Sequence, residues 1–217
     1  KKELAAAKKE AKKKDRHDKQ RMAEEANAQG REGQQDASKL ATPTDASATH
    51  GDDQYVSAVL NGDIDNYMDL TELAKLDIPA EITTDAKVIP ALISRQLTST
   101  VSDLEAFRAT VSTFEGSMAI ASHNAAQPHK LSLALRGSGQ AIYVGLADNS
   151  YVVASEPYGV IENASEWIRM DGEKPADPDN PISSAGQISQ LDAAKAGDLE
   201  GITRIAYDGT ELPVEQD

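Results

Sequence analysis

Val59-Leu-Asn-Gly-Asp-Ile-Asp-Asn-Tyr67 is the stretch on which the reading of this chain turns. It closes a strand-like run, "QYVSAVL" from Gln54 to Leu60, with the pair Asn61-Gly62. A side-chain amide next to a glycine at a strand end has two uses. It can simply reverse the chain, or it can present N–H donors to an oxyanion.

Working outward from that pair, the downstream sequence reads first as helices. "DNYMDLTELAKL" spaces its apolar residues helically, with Asp65 as a candidate N-cap. "TTDAKVIPALISRQL" starts on cap-type residues and aligns Val88, Leu92, Ile93 and Leu97 on one face, with Pro90 tolerated near the start. "TVSDLEAFRATVSTF" predicts another helix, capped by Ser102 or Asp103 and ended at Gly116. Short strand signals follow: "SMAIAS", "KLSLALRG", "AIYVGLA", "SYVVAS" and "EWIRM", each bounded by Gly, Asn, Asp or Pro. "GQISQLD" and "ITRIAYDG" add two more beyond the Pro- and Asp-rich "GEKPADPDNP". Helices packed on antiparallel sheet, an α+β layout, are the expected outcome over residues 51–217.

Upstream the composition changes. Residues 1–40 hold 12 Lys+Arg against 8 Asp+Glu, and the remaining 177 residues hold 10 against 28. The first 35 residues contain strong helix formers and no Pro, with the first Gly at Gly30, but carry no continuous apolar stripe, so they predict an exposed charged helix or disorder. "ASKLATPTDASATHGDD" reads as linker, giving a charged helix and linker over residues 1–50. A basic arm for RNA is the functional alternative, but mixed signs and missing aromatics favour a solvated segment. The acidic body repels phosphates, so no nucleic-acid partner is expected. With no Cys there is no disulfide framework or thiolate metal site, and no HExxH or Ca-loop pattern appears. No apolar run approaches the ~18 residues of a membrane span, and no signal-peptide segment opens the chain, so a cytoplasmic location and no membrane partner are expected. The histidines are His17, His50, His123 and His129; the last two fall in "SHNAAQPHK", which reads as a polar turn.

Asp85, at a helix start about twenty residues after Asn61-Gly62, has a plain use as a cap for free backbone N–H groups. The order of motifs gives it another. "NGDIDN" at 61–66, "TTDAKVI" at 83–89, "EGSMA" at 115–119, "LRGSGQAIYVGL" at 135–146, "ASEPYGVI" at 154–161 and "RMDGE" at 169–173 follow one another, and "ITRIAYDGTELPV" closes the series. In that order they resemble the class II, N-terminal-nucleophile glutamine amidotransferases, most closely their glutamine–fructose-6-phosphate aminotransferase branch. Asparagine synthetases are a neighbouring possibility. The resemblance runs from about Gln54 to the C-terminus. It implies an incomplete N-terminal-nucleophile hydrolase-like αββα sandwich, antiparallel sheets with flanking helices. It also implies a chemistry without cofactor: a Cys thiolate attacks the glutamine side-chain amide, using its own α-amine as base. Asn61 and Gly62 would receive the oxyanion, and Asp85 would bind the glutamine α-ammonium. Ammonia would then pass to a sugar-isomerising domain that aminates fructose 6-phosphate.

Departures bound this expectation. The chain has no Cys and begins "KKEL", so the nucleophile lies elsewhere. The family's Arg-Trp-Ala-Thr-His-Gly motif is missing, and "SATHG" at 47–51 lies too near Asn61 to replace it, leaving His50 without a role. The sugar-isomerase domain is absent as well. One expectation is a piece of a larger enzyme, whose partners are glutamine, the Cys-bearing opening strands and the sugar isomerase domain, with homo-oligomerisation left open. The alternative is a degenerate interaction or glutamine-sensing module. Retention of Asn61, Gly62 and Asp85 favours the enzyme, because a structural remnant would not need that trio.

Overall fold

The computed structural model describes residues 55–97, 100–137, 139–172, 179, 182 and 185–214. The charged helix and linker expected over residues 1–50, His50 included, lie outside the described residues.

The chain enters as strand β1 (Val56–Gly62), then forms helix α1 (Tyr67–Leu73), a 3-10 turn at Asp85–Lys87, and helices α2 (Val88–Gln96) and α3 (Asp103–Val111). Strands β2 (Met118–Asn124), β3 (Lys130–Arg136), β4 (Ile142–Ala147) and β5 (Ser150–Ala154) follow. They lead to a short helix α4 (Tyr158–Ile161), β6 (Glu166–Met170), β7 (Gly186–Asp192) and β8 (Ile202–Ala206). Five strands form one antiparallel sheet in the order β1-β2-β3-β7-β8, and three form a second in the order β5-β4-β6. All seven strand signals after the helices become strands, and the α+β expectation holds.

Directly opposed residues of an antiparallel pair share a face. On the larger sheet, Leu133, Leu135, Leu191 and Ile202 turn inward and meet Ile142, Val144, Leu146, Ile168 and Met170 of the smaller sheet in one buried cluster. The other face of the larger sheet, with buried Ile120, Ala134 and Ile188, backs onto α2 and α3, whose Ile89, Ile93, Phe107 and Val111 are buried. Helix α4 packs outside β4 and β5. The layers therefore run helix, sheet, sheet, helix, as the αββα expectation requires.

Asp103, in the first turn of α3, fastens that helix to the sheet. Its carboxylate accepts from Asn124 Nδ2 at 2.9 Å and from Gln190 Nε2 at 3.3 Å, and the Gln190 amide also donates to Ser132 Oγ at 3.1 Å. Buried amides without such partners would each cost about 1–3 kcal/mol, so the network sets the position of α3 over β2, β3 and β7.

Several boundaries differ from the sequence expectation. Helix α1 starts one residue later than Asp65 predicts, and its N-cap Asn66 makes no capping bond because its side chain is engaged elsewhere. The third helix is capped by Ser102, whose Oγ accepts from Glu105 N–H. It ends at Val111 rather than near Gly116, where the backbone leaves the i−4 pattern: Thr113 N–H donates to Thr110 O at 3.0 Å and Phe114 N–H to Val111 O at 3.2 Å. His123 lies in β2, not in the turn, while His129 does precede β3.

Candidate functional site

Asn61 and Gly62 end β1, and the ladder with β2 fixes where their groups point. Asp63 N–H donates to Ser117 O at 3.1 Å and Asp65 N–H to Glu115 O at 2.9 Å, in the same register that pairs Gly62 with Met118. Backbone groups alternate along an antiparallel strand, so the odd-numbered residues of β1 bond to β2. The even-numbered residues, Gly62 and Ile64 among them, aim their N–H groups at the outer edge. No partner for Gly62 N–H occurs among the described residues.

Asp85 lies on that same edge. Its Oδ2 accepts from Ile64 N–H at 2.8 Å, while Oδ1 accepts from Ala86 N–H at 2.9 Å and from Thr84 Oγ1 at 3.3 Å. Thr84 holds the N-cap position of the 3-10 turn, and its Oγ1, at 3.3 Å, shares Ala86 N–H with the closer Asp85 Oδ1, so Asp85 also serves the plain use of satisfying a free N–H at the start of the turn. A carboxylate offers roughly four lone-pair positions, and three donors leave room for one more. Two outward N–H groups in succession stand about 7 Å apart along a strand.

The Asn61 side chain behaves differently. It is exposed and points to the inward side of the sheet, beside Val59 and opposite Ala119. The three residues singled out in the sequence thus meet at one corner of β1. Gly62 and Asp85 share its edge, and Asn61 opens onto the adjoining face.

Glycine at 62 is required by the backbone. Its φ is +116°, and a Cβ there would stand 2.2 Å from Ser117 O. Gly116 answers it across the ladder with φ +117°, a Cβ meeting Asp63 O at 2.4 Å. The two chains therefore touch where β1 leaves the sheet.

Residues that the sequence reading gave no role lock this corner. Asn66 bridges two strands of loop, donating from Nδ2 to Thr113 O at 2.9 Å and accepting Glu115 N–H on Oδ1 at 3.1 Å. Ser117 Oγ accepts Gly139 N–H at 3.1 Å, and Gly137 N–H donates to Gly172 O at 2.9 Å. The segments 61–66, 83–89, 115–119, 135–146 and 169–173 are thereby linked one to the next at one end of the larger sheet. Their co-occurrence in the sequence was the available signal, because motifs scattered over a hundred residues gain meaning by converging in space. The sixth segment, 154–161, instead builds α4 on the outside of the smaller sheet.

No metal-binding group of three or more His, Cys, Asp or Glu occurs among the described residues, and none of their helices is long and apolar enough to cross a membrane.

No family model matches the chain. Its sequence is similar to curated glutamine–fructose-6-phosphate aminotransferases (isomerizing). The protein of Bacillus spizizenii strain W23 is 29% identical over 170 residues, covering 68% of this chain and 28% of the relative. That of Geobacillus kaustophilus strain HTA426 is 33% identical over 143 residues, covering 58% and 23%. The fold is similar to that of the allosteric regulatory enzyme of purine biosynthesis, with TM-score 0.52 and 17% identity over 72% of this chain and 29% of that one. It matches glutamine phosphoribosylpyrophosphate amidotransferase from B. subtilis, complexed with ADP and GMP, to the same TM-score and identity. The resemblance to the class II amidotransferases is borne out in sequence and in fold. The chain spans less than a third of the length of the curated relatives it matches.

Proposed function

We propose that this chain is part of the glutaminase domain of a glucosamine-6-phosphate synthase-like enzyme, which hydrolyses glutamine and delivers ammonia for the amination of fructose 6-phosphate. The nucleophilic Cys comes from polypeptide outside this chain, which contains none. Glutamine is the small-molecule substrate, the Cys-bearing strands and the sugar isomerase domain are the partners, and the setting is cytoplasmic.

One observation carries this reading: the outward N–H of Gly62 and the carboxylate of Asp85 share one strand edge, with Ile64 N–H held by Asp85 at 2.8 Å between them. Glutamine laid along that edge would offer its α-ammonium to Asp85 and its side-chain carbonyl to Gly62. When thiolate attack turns that carbonyl into an oxyanion, Gly62 N–H and the Asn61 amide would stabilise it. A prepositioned donor of this kind supplies roughly 10²–10³ in rate.

The assignment of roles is tested in the enzyme completed with its Cys-bearing segment. Asn61→Ala is expected to lower kcat by about 10²–10³ with little change in KM. Asp85→Ala is expected chiefly to raise KM for glutamine. Equal effects of the two on KM alone would overturn the roles.

A further inference from the structure

Asn61, Asn66, Asn124, Asn149 and Asn163 are the asparagines among the described residues. The chemical lifetime of an asparagine depends on the backbone nitrogen that follows it. Once that nitrogen loses its proton, it can attack the side-chain amide carbon and close a succinimide ring. A hydrogen bond from the N–H opposes this, and so does a Cβ on the following residue.

At most of these positions the following nitrogen is engaged. Tyr67 N–H, after Asn66, donates to Ile64 O at 3.2 Å, and Ala125 N–H, after Asn124, to Tyr55 O at 2.8 Å. Ala164 N–H, after Asn163, donates to Val160 O at 2.9 Å. Ser150, after Asn149, closes the β4–β5 turn opposite Ala147. The amides of Asn66 and Asn124 are themselves held on both sides, the first by Thr113 and Glu115, the second by Asp103 and Ala126. Gly62 N–H, after Asn61, is different. It points to the outer edge of β1 with no partner among the described residues. Gly62 has no Cβ to obstruct the approach, and Asn61 is exposed. In the whole sequence no other asparagine precedes a glycine.

We propose that Asn61 is a site of spontaneous deamidation, and that its conversion disarms the oxyanion donors of this corner. Gly62 N gives its proton to solvent base and bonds to Asn61 Cγ, while the Cγ–Nδ2 bond breaks and ammonia leaves. Water then opens the ring at either carbonyl, giving aspartate or isoaspartate. Ring closure turns the Asn61–Gly62 peptide out of the extended conformation, so the Asn61 carbonyl must first leave β2. Strand β1 is an edge strand paired with β2 alone, and Asn61 is its second-last residue, so only the end of one ladder has to open. Either product puts a carboxylate, which has no N–H, where the amide donor stood. The isoaspartyl product also lengthens the main chain by one carbon and breaks the alternation that turns Gly62 and Ile64 N–H to the same edge. The loss of donors matters on the reading of the chain as part of a glutaminase; the modification itself does not depend on it.

The test is incubation of the folded full chain in mildly alkaline buffer, with each asparagine followed by fragmentation mass spectrometry. Asn61 is expected to convert at least tenfold faster than Asn66, Asn124, Asn149 or Asn163, with isoaspartate among the products. Asn61→Gln, whose extra methylene disfavours the ring, is expected to remove the mass gain from its peptide. An Asn61 that keeps its amide, or loses it no faster than Asn149 or Asn163, overturns the proposal. Conversion confined to chain unfolded in urea overturns it as well. The aged chain is then completed with the Cys-bearing segment, and glutamate release is expected to fall in proportion to the fraction converted. Conversion with undiminished release overturns the disarming step. If the unaged completed enzyme releases no glutamate, the glutaminase reading falls and the deamidation site stands.

Discussion

Asn61 and Gly62 are adjacent in the chain, yet an extended strand sends their functional groups to different places. The Asn61 side chain goes to a sheet face and Gly62 N–H to the strand edge. From sequence the pair reads as a turn or as donors, and the ladder decides what each atom is free to do. Strand parity is visible only once the partner and register are known, which is why the role of Ile64 N–H as the link to Asp85 escaped the sequence. Gly62→Ala must place a Cβ against a backbone oxygen at a positive φ. We expect it to lose about 1–3 kcal/mol or more, read as a lower urea midpoint, with Ser117 O unable to move without parting β1 from β2.

At the scale of elements, period-two and helical spacing located every strand and the helices α2 and α3, each of which buries one face, and it located α1 as well, although none of its residues is buried. Boundaries failed where side chains bond to backbone outside their own element. Asn66 serves the α3–β2 loop instead of capping α1, and no local pattern encodes a partner 47 residues away. Tyr207, just after β8, shows the same limit. Its carbonyl receives Arg108 Nη1 at 2.7 Å and Ser112 Oγ at 3.2 Å, and the Arg136 guanidinium lies 5.6 Å from its ring centroid. Its hydroxyl is buried without a partner among the described residues, and that burial raises its pKa well above the usual tyrosine value. A folded-state pKa raised above the unfolded one contributes stability that is full below the unfolded value of about 10 and is lost as pH rises past it. Tyr207→Phe removes the unpaired hydroxyl and should gain about 1 kcal/mol at pH 7. Its advantage should widen above pH 10, measured as urea midpoints across that range.

For the whole molecule, the layer order was legible from the succession of helices and strands, but the division into a five-stranded and a three-stranded sheet was not, because a strand signal does not say which sheet the strand joins. A body with Asn61 uncovered and no thiol should not turn over glutamine. The purified chain is expected to release no glutamate above background in a coupled dehydrogenase assay. The anchoring of α3 has a consequence for how such a chain can diversify. The helix is pinned by Asp103 at its start and hands its far end to Asn66, so its nine residues act as a gauge block between the sheet and the β1 corner. Deleting one residue would swing every later position by about 100°. Length variation in descendants of this sequence should therefore collect in loops such as the α1–α2 connection, while the span from Asp103 to Glu115 keeps its count.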